Sequence, residues 1–327
     1  MIDLKNIPSQ KEDLDSYEVE HIFHSWGYQP SVAPLRVVSA EGVRFKTEDG
    51  RERLDFSSCF VSHSIGHQDQ RVVEAICEQA KALTSFAPNF STKPRAVLAK
   101  MLAEITPGDL SRTFISLGGT EANEAAVKIC HQYTGKRKMV TRYRTYHGAT
   151  ATSMTLSTGD ARNWAQVLGG TEWVSVPQPY CYRCMFGQKY PECELRCVKY
   201  IDEVIELEGG DEKVAGIIFE PVTGANGIIV PPPEYFPQLR EVCNKWGTLM
   251  VADEVMTGFG RTGKWFAMDH WNVVPDIMTM AKGATCGYLP LGMTIVRKPI
   301  ADRFKDQFFS HGATYAGHAL CCAAAVR

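Results

Sequence analysis

Two adjacent glycines, in the segment SLGGTEANEAAVK (116–128), could bring backbone N–H groups close to an anion. Gly118 and Gly119 separate a short apolar run from a helical pattern that begins at Thr120. Glycine allows a close backbone approach, and the free N–H groups at a helix N-terminus favour negative charge. The segment therefore predicts a phosphate site, although a glycine turn before a capped helix is also common without a ligand.

A carboxylate closes the apolar run at 248–254. Burying Asp253 there is costly unless a cation or a hydrogen-bond donor meets it. Strand alternation places Asp253 and Val255 on the same side, so the carboxylate could contact the cationic edge of a ring while Val255 packs on its face. The alternative is that Asp253 caps the next turn or pairs with an arginine.

A lysine, Lys282, ends the apolar run at 276–282 and is followed by Gly283. A low-dielectric site favours the neutral, nucleophilic form of such an amine. A lone lysine at a strand end more often extends its ammonium group into solvent, which is the alternative here.

An aromatic pair, Tyr146 and His147, ends the apolar run that starts at 138 and could offer a flat surface to a ligand. An ordinary buried tyrosine is the alternative. Taken with the other three segments, the pair completes a set that pyridoxal 5′-phosphate (PLP) requires. Its phosphate needs N–H donors, its pyridine nitrogen needs an anion and its aldehyde needs a lysine.

The elements that must position these residues alternate along the chain from about residue 70. Apolar runs predict strands at 112–117, 138–146, 173–177, 214–220, 248–254 and 276–282. Helical periodicity predicts helices at 71–83, 94–105, 120–133 and 234–246. This alternation predicts an α/β fold with a mostly parallel sheet covered by helices, and ligands bind at the carboxyl ends of such strands.

The composition excludes several function classes. The 327 residues carry 35 Lys and Arg against 37 Asp and Glu, which gives a net charge of −2 and argues against a nucleic-acid partner. No apolar run approaches the roughly 20 residues that a membrane helix needs. The polar N-terminus predicts no signal peptide, and the 11 cysteines then favour a reducing, cytoplasmic location.

Two regions are expected from the distribution of these patterns. Residues 1–64 predict an N-terminal arm with short strands and part of a small domain, and 65–327 predict the large ligand-binding domain. The alanine-rich run before Arg327 is typical of a helix interrupted midway. We therefore expect the large domain to be truncated and a small C-terminal domain to be absent.

The motifs together resemble the class III aminotransferases of the fold-type I PLP enzymes. The matching segments are GGTEANEAAVK, YHGAT, DEVMTGFGRTG, the lysine at 282 and GATYAGHAL, and the resemblance runs from about residue 40 to the end. It implies a PLP-dependent transaminase that acts as a homodimer with shared active sites.

The resemblance implies roles for individual residues. Lys282 would hold the cofactor covalently and move the proton, and Asp253 would pair with the pyridinium nitrogen. Tyr146 would stack on the ring, Val255 would pack on its opposite face, and Glu220 would support the region of Asp253.

Further residues follow from the same resemblance. Gly119 and Thr120 would bind the phosphate, His147 would lie beside the cofactor, and Thr314 would reach the phosphate of the neighbouring subunit. The candidates for the substrate pocket are Trp26, Cys59, Phe60 and Phe86, for which plain core packing is the alternative.

The substrate class is suggested by departures from the family pattern. Where ornithine and γ-aminobutyrate members carry a gating glutamate, this chain has Ala225 and Asn226, and where they carry a glutamine it has Met256. We therefore expect an ω-amino donor such as taurine or β-alanine, as in taurine–2-oxoglutarate aminotransferases, and a 2-oxo acid acceptor such as 2-oxoglutarate or pyruvate. γ-Aminobutyrate and diamines are the alternative donors.

A second class of function is suggested by clustered cysteines with the spacing C-x2-C-x8-C-x3-C. They are Cys181, Cys184, Cys193 and Cys197. Four thiolates could hold zinc or an iron–sulfur cluster, although the spacing is shorter than in zinc ribbons, and free thiols or a disulfide are the alternatives. A truncated, non-catalytic relative that binds metal therefore stays open as a hypothesis.

A dinucleotide fingerprint is formally present at GFGRTG (258–263). Such a motif must open a helix directly after a strand, and KWFAMDHW follows instead. A nicotinamide-dependent dehydrogenase is therefore disfavoured.

Overall fold

The computed structural model describes residues 11–33, 35–159 and 172–327, which form two compact units, Met1–Phe56 and Ser57–Arg327. The first unit contains helix α1 (Lys11–His21) and a three-stranded antiparallel sheet. Its strands are β1 (Val37–Glu41), β2 (Arg44–Thr47) and β3 (Glu52–Leu54).

The second unit contains a seven-stranded sheet in the order β4-β10-β9-β8-β7-β5-β6. Its strands are β4 (Leu110–Ser116), β5 (Lys138–Arg142), β6 (Glu172–Val176), β7 (Val214–Phe219), β8 (Leu249–Asp253), β9 (Ile277–Met280) and β10 (Gly292–Arg297). Strands β5 to β9 pair in parallel, whereas β10 is antiparallel to β4 and β9. The predicted α/β fold with a mostly parallel sheet is confirmed.

Helices connect and cover these strands. They are α2 (Ser58–Val61), α3 (Gln70–Ala82), α4 (Lys93–Ile105), α5 (Gly119–Thr134), α6 (Ala151–Leu156), α7 (Arg196–Leu207), α8 (Gly210–Lys213), α9 (Tyr235–Trp246), α10 (Lys298–Arg303) and α11 (Ala319–Val326). Within the described ranges, no helix is both long and apolar enough to cross a membrane.

Burial on both faces explains why the central strands are continuously apolar. Every residue of β7, β8 and β9 is buried. Helix α5 packs on the sheet through small residues, and Ala122, Ala125 and Ala126 are fully buried. Small side chains let the helix approach closely, which fixes its N-terminus near the carboxyl ends of the parallel strands.

Several sequence-based boundaries were wrong for local reasons. The strand predicted at 138–146 ends at Arg142, because Arg144 adopts a left-handed conformation with φ 60° and turns the chain. The helix predicted to begin at Thr120 begins one residue earlier, at Gly119, and the extended Gly118 is its N-cap. Strand β10 and helix α7 were not anticipated.

Candidate active site

Asp253 is the last residue of β8 and is only 3% exposed. Its Oδ2 accepts hydrogen bonds from Asn123 Nδ2 at 2.8 Å and contacts His147 Nδ1 at 2.6 Å, and its Oδ1 accepts from the backbone N–H of Val255 at 3.0 Å. A carboxylate has about four acceptor positions. These three contacts fix its orientation and leave about one position for the N–H of a ligand ring.

A chain of polar contacts extends from Asp253 to Glu220. Thr145 Oγ1 lies 3.0 Å from His147 Nε2 and donates to Glu220 Oε1 at 2.9 Å. Because a threonine hydroxyl has one proton, it must accept from His147 Nε2–H. His147 and Thr145 thus connect the carboxylates of Asp253 and Glu220.

Glu220 anchors this chain directly after β7. Its Oε1 also accepts from the backbone N–H of Tyr146 at 3.1 Å, and its Oε2 accepts from that of Gly224 at 2.8 Å. The carboxylate thus positions the Tyr146–His147 loop and the segment that follows β7. The predicted support of Asp253 by Glu220 runs, in this structure, through Thr145 and His147.

Two residues of the site were missed by sequence reasoning. Asn123 lies one turn into α5, is 1% exposed, and binds Asp253 and the His147 carbonyl through Nδ2. Thr279 Oγ1 donates to Asn123 Oδ1 at 2.7 Å and thereby fixes the orientation of the amide. The available signal was a polar residue among the alanines of an apolar helix face.

Lys282 follows the neighbouring strand β9. In the parallel ladder Asp253 is paired with Thr279, so the lysine lies three residues beyond the register of the aspartate. It is half-buried and lies in a short 3₁₀ turn, Lys282–Ala284, with φ 23°. The strand predicted at 276–282 therefore ends earlier, at Met280, and the lysine lies in the turn at the carboxyl edge of the sheet, where ligands bind in such folds.

The first turn of α5 forms a cradle that only glycine permits. A Cβ on Gly119 would lie 2.7 Å from Val255 Cγ1 and 2.8 Å from Cγ2. On the other side, a Cβ on Gly148 would lie 2.4 Å from Thr120 Oγ1. The N-terminus of this 16-residue helix thus lies against the loops after β8 and β5, with free N–H groups that suit a phosphate.

We expect Gly119→Ala to weaken cofactor binding about tenfold and to lower Tm, because the methyl group must displace either Val255 or the first turn of α5. The apparent Kd for PLP, measured by fluorescence titration, tests this. Gly312→Ala is the control, since a Cβ there meets nothing within 4 Å. Equal affinities for the two variants would contradict the steric argument.

The neighbouring Glu254 faces away from Asp253, as strand alternation predicts, and is completely buried. It accepts hydrogen bonds from Thr257 Oγ1 and from the backbone N–H groups of Ala267 (3.0 Å) and Met268 (2.8 Å). Burial raises the pKa of Glu254 from 4.5 to about 7, although these hydrogen bonds oppose the shift.

The raised pKa of Glu254 predicts a pH dependence of stability. The folded protein binds more protons than the unfolded chain between pH 4.5 and about 7, so the free energy of unfolding falls as pH rises through this window, by about 3 kcal/mol in total. Urea unfolding of wild type and Glu254→Gln at several pH values tests this. The difference between the two curves should change across the window; parallel curves would contradict it.

The remaining predicted residues are described by their own surroundings. Thr314 is exposed in the turn before α11, and Phe86 is half exposed, with its ring against Phe90 at a centroid distance of 4.8 Å. Cys59 and Phe60 lie in α2, a turn whose residues have left-handed φ values. Trp26 belongs to the first unit and is mostly exposed. Their assignment to a substrate pocket stays a prediction.

The four clustered cysteines line one small cavity. They are Cys181, Cys184, Cys193 and Cys197, and all 11 cysteines of the chain are free thiols. Burial and the neighbouring thiols raise the pKa of Cys197 to about 12. Among the residues that the structure describes, no three of these sulfurs lie within 4.8 Å of one another, so metal binding here stays a prediction.

Comparison with known proteins identifies the family. Residues 27–327 match the class-III aminotransferases. The chain belongs to this family. The sequence-based recognition is thereby confirmed, and so are the class of enzyme, a PLP-dependent transaminase, and the cofactor, pyridoxal 5′-phosphate.

Individual relatives show how far the similarity extends. Taurine:2-oxoglutarate aminotransferase from Bifidobacterium kashiwanohense, solved in complex with PLP and glutamate, is 39% identical with a TM-score of 0.90, over 96% of this chain and 71% of that one. Leucine/methionine racemase from Thermococcus litoralis is 35% identical over 90% of this chain and 66% of its own length. Taurine–pyruvate aminotransferase from Bilophila wadsworthia is 32% identical over 94% of this chain and 70% of its own length. The chain thus spans about two thirds of these relatives.

The residues present fit PLP. Asp253 presents a buried, oriented carboxylate, the α5 N-terminus presents a cradle that side chains at Gly119 or Gly148 would fill, and Lys282 lies at the same sheet edge. The GFGRTG segment forms successive turns instead of opening a helix, so it lacks the context of a dinucleotide site.

Proposed function

We propose that this chain transfers an amino group from an ω-amino donor, of the taurine or β-alanine type, to a 2-oxo acid such as 2-oxoglutarate or pyruvate. The observation that carries the proposal is the oriented Asp253 carboxylate on the strand beside the one that leads to Lys282. A dehydrogenase or a simple binding module has no need of a buried carboxylate and a lysine at adjacent strand ends.

When bound, PLP supplies an electron-accepting ring that takes up the charge left when the donor carbon loses its proton. Asp253 holds a proton at the pyridine nitrogen, and the charge of the carboxylate is kept in place by Asn123, His147 and Val255. Buried donors need no reorganisation during the reaction, so their contribution is larger than it would be in water.

The Lys282 amine is the proposed acid–base group. With PLP bound, its Nζ would accept the proton from the donor carbon and deliver it to the cofactor, which requires a neutral amine. Gly119 and Thr120 bind the phosphate through the N–H groups of the α5 N-terminus, and Tyr146 orients the ring. Val255, which already contacts the Gly119 side of the cradle, limits ring movement.

The donor class is supported by similarity and by two departures from other members. The 39% identity to a taurine:2-oxoglutarate aminotransferase exceeds the identity to the other relatives described above. Ala225 and Asn226 follow Glu220 where other members carry a gating glutamate. A Cβ placed on Gly224 would lie 2.2 Å from the sulfur of Met256. The apolar Met256 side chain therefore packs against the segment that follows β7.

We further propose a cytoplasmic homodimer in which Thr314 binds the phosphate in the partner's site. The exposure of Thr314 supports this, because a residue that serves a neighbouring subunit must be accessible in the single chain. The near-neutral charge and the free cysteines are consistent with a cytoplasmic enzyme.

A donor screen tests the proposed function. The PLP-loaded protein is incubated with taurine, β-alanine, γ-aminobutyrate, putrescine or leucine, each with 2-oxoglutarate or pyruvate, and the new amino acid is quantified. We expect transfer from taurine or β-alanine above the others. Loss of chirality in leucine without amino transfer would indicate a racemase instead, and the absence of any product would contradict the proposal.

A further inference from the structure

Three potential metal ligands lie together in the segment that follows the first unit. Cys59, His63 and His67 are spaced four residues apart, and one ligand atom of each lies within 4.8 Å of the other two. Among the His, Cys, Asp and Glu residues that the structure describes, this is the one set of three or more with that property. We propose that the set binds a zinc ion through one thiolate and two imidazoles.

The spacing of the ligand atoms is close to that of an occupied zinc site. Cys59 Sγ lies 3.9 Å from His67 Nε2. Zinc bonds of about 2.3 Å to sulfur and about 2.1 Å to nitrogen, at a tetrahedral angle, separate the two ligand atoms by about 3.6 Å. This pair is therefore about 0.3 Å wider than in an occupied site, and the other two pairs lie within 4.8 Å.

The hydrogen bonds of Ser62 select the metal-binding tautomer of His63. Ser62 Oγ donates its single proton to the Cys59 carbonyl at 2.7 Å, so it accepts from His63 Nδ1, which lies 3.0 Å away. The proton of His63 is thereby on Nδ1, and the lone pair is on Nε2. Ligating histidines are characteristically held in this way by a second hydrogen bond.

The position of the His63 ring is fixed by the loop after Lys282. The ring stacks on Tyr288 at a centroid distance of 6.0 Å, and a Cβ on Gly287 would lie 2.4 Å from His63 Cε1, so only glycine leaves room for it. Tyr288 Oη donates to the carbonyl of Gly66 at 2.9 Å, which ties this loop to the residue before His67.

The backbone that carries Cys59 is held in a costly conformation. Residues 58–61 have φ values of 48°, 46°, 56° and 61°, a left-handed turn that includes the β-branched Val61. Arg261 supports the turn by donating to the carbonyl of Val61 at 2.8 Å and to Ser64 Oγ at 2.9 Å. Strain of this kind concentrates at ligand clamps and functional sites.

One thiolate and two imidazoles form a borderline-soft ligand set that suits Zn²⁺ rather than Mg²⁺ or Ca²⁺. Binding requires the Cys59 thiol to lose its proton, so the affinity should rise with pH. Three protein ligands leave a fourth position for water or a small anion. This site goes beyond the proposed transamination and does not depend on it.

Zinc titration of the PLP-loaded protein by calorimetry, combined with zinc X-ray absorption, tests the site. We expect one tight equivalent with one sulfur and two imidazole ligands. Cys59→Ser and His67→Ala should weaken binding more than about 100-fold, and Ser62→Ala should weaken it about tenfold. Cys77→Ser, which removes an exposed thiol of α3, is the matched control and should bind as wild type does.

Two results would overturn the proposal. One is a zinc spectrum with four sulfur ligands that disappears in Cys181→Ser, which would assign the metal to the other cysteine cluster. The other is wild-type affinity in Cys59→Ser and His67→Ala. Because the ligand set is read from the wild-type spectrum, the test stands even if a variant fails to fold.

Discussion

Lys282→Ala is expected to reduce transamination at least about 10⁴-fold, because the substitution removes the amine that moves the proton and the group that anchors the cofactor. The visible absorption band of the lysine-bound cofactor should disappear as well. The fold should persist, since Lys282 lies in a short turn beyond β9 and contributes no strand pairing. Amino-acid product formation and the absorption spectrum are the two measurements.

Lys100→Ala is the matched control for this variant. Lys100 is 70% exposed on α4 and forms an i,i+4 ion pair with Glu104, an interaction of little energetic consequence. The control should retain the spectrum and the turnover of wild type. Retained turnover in Lys282→Ala would remove this lysine from its assigned role.

Asp253→Asn is expected to retain PLP but to lower kcat about 10²–10³-fold. The amide oxygen can replace Oδ2 and still accept from Asn123 and His147. The amide NH2 then takes the place of Oδ1, where it meets the Val255 N–H and cannot accept a proton from a ring nitrogen. The charge that holds the ring proton is therefore lost while the surrounding contacts largely survive.

Asp276→Asn is the control for burial. Asp276 is also a buried carboxylate, but it precedes β9 at the opposite edge of the sheet and binds Arg240 and the Met250 N–H. This variant should lower Tm and leave the kcat of the folded protein near that of wild type. If both variants slowed turnover equally, the effect would be one of stability and not of charge at the ring.

The fold and the positions of Asp253 and of the glycine pair were predictable because they follow from local patterns, whereas the roles of these residues stay predictions. Continuous apolar runs that end in polar residues specify parallel strands buried on both faces, and this placed Asp253 at a strand end. The Gly118–Gly119 pair before a helical period specified the cradle. Each signal lies within about ten residues of sequence.

The parts that were missed depend on contacts between distant segments. Asn123 and Thr279 are 156 residues apart, and their hydrogen bond has no local signature. Strand β10 is antiparallel within an otherwise mostly parallel sheet. Its direction is set by its pairing with β4 and β9, which are distant from each other in the sequence. Lys282 has a positive φ, and a lysine in the sequence gives no indication of that backbone conformation.

The proximity of Cys59, His63 and His67 also could not be derived from spacing alone. A right-handed helix would align residues four apart, but the left-handed turn at 58–61 breaks that expectation. His63 stacks on Tyr288, which is 225 positions away along the chain, and this contact fixes the position of the His63 ring.

A crystal structure of the PLP-loaded protein tests the central claim most directly. We predict continuous density from Lys282 Nζ to the cofactor and a distance of about 2.8 Å between a carboxylate oxygen of Asp253 and the pyridine nitrogen. A cofactor joined to another lysine, or one whose ring nitrogen lies away from Asp253, would contradict the account.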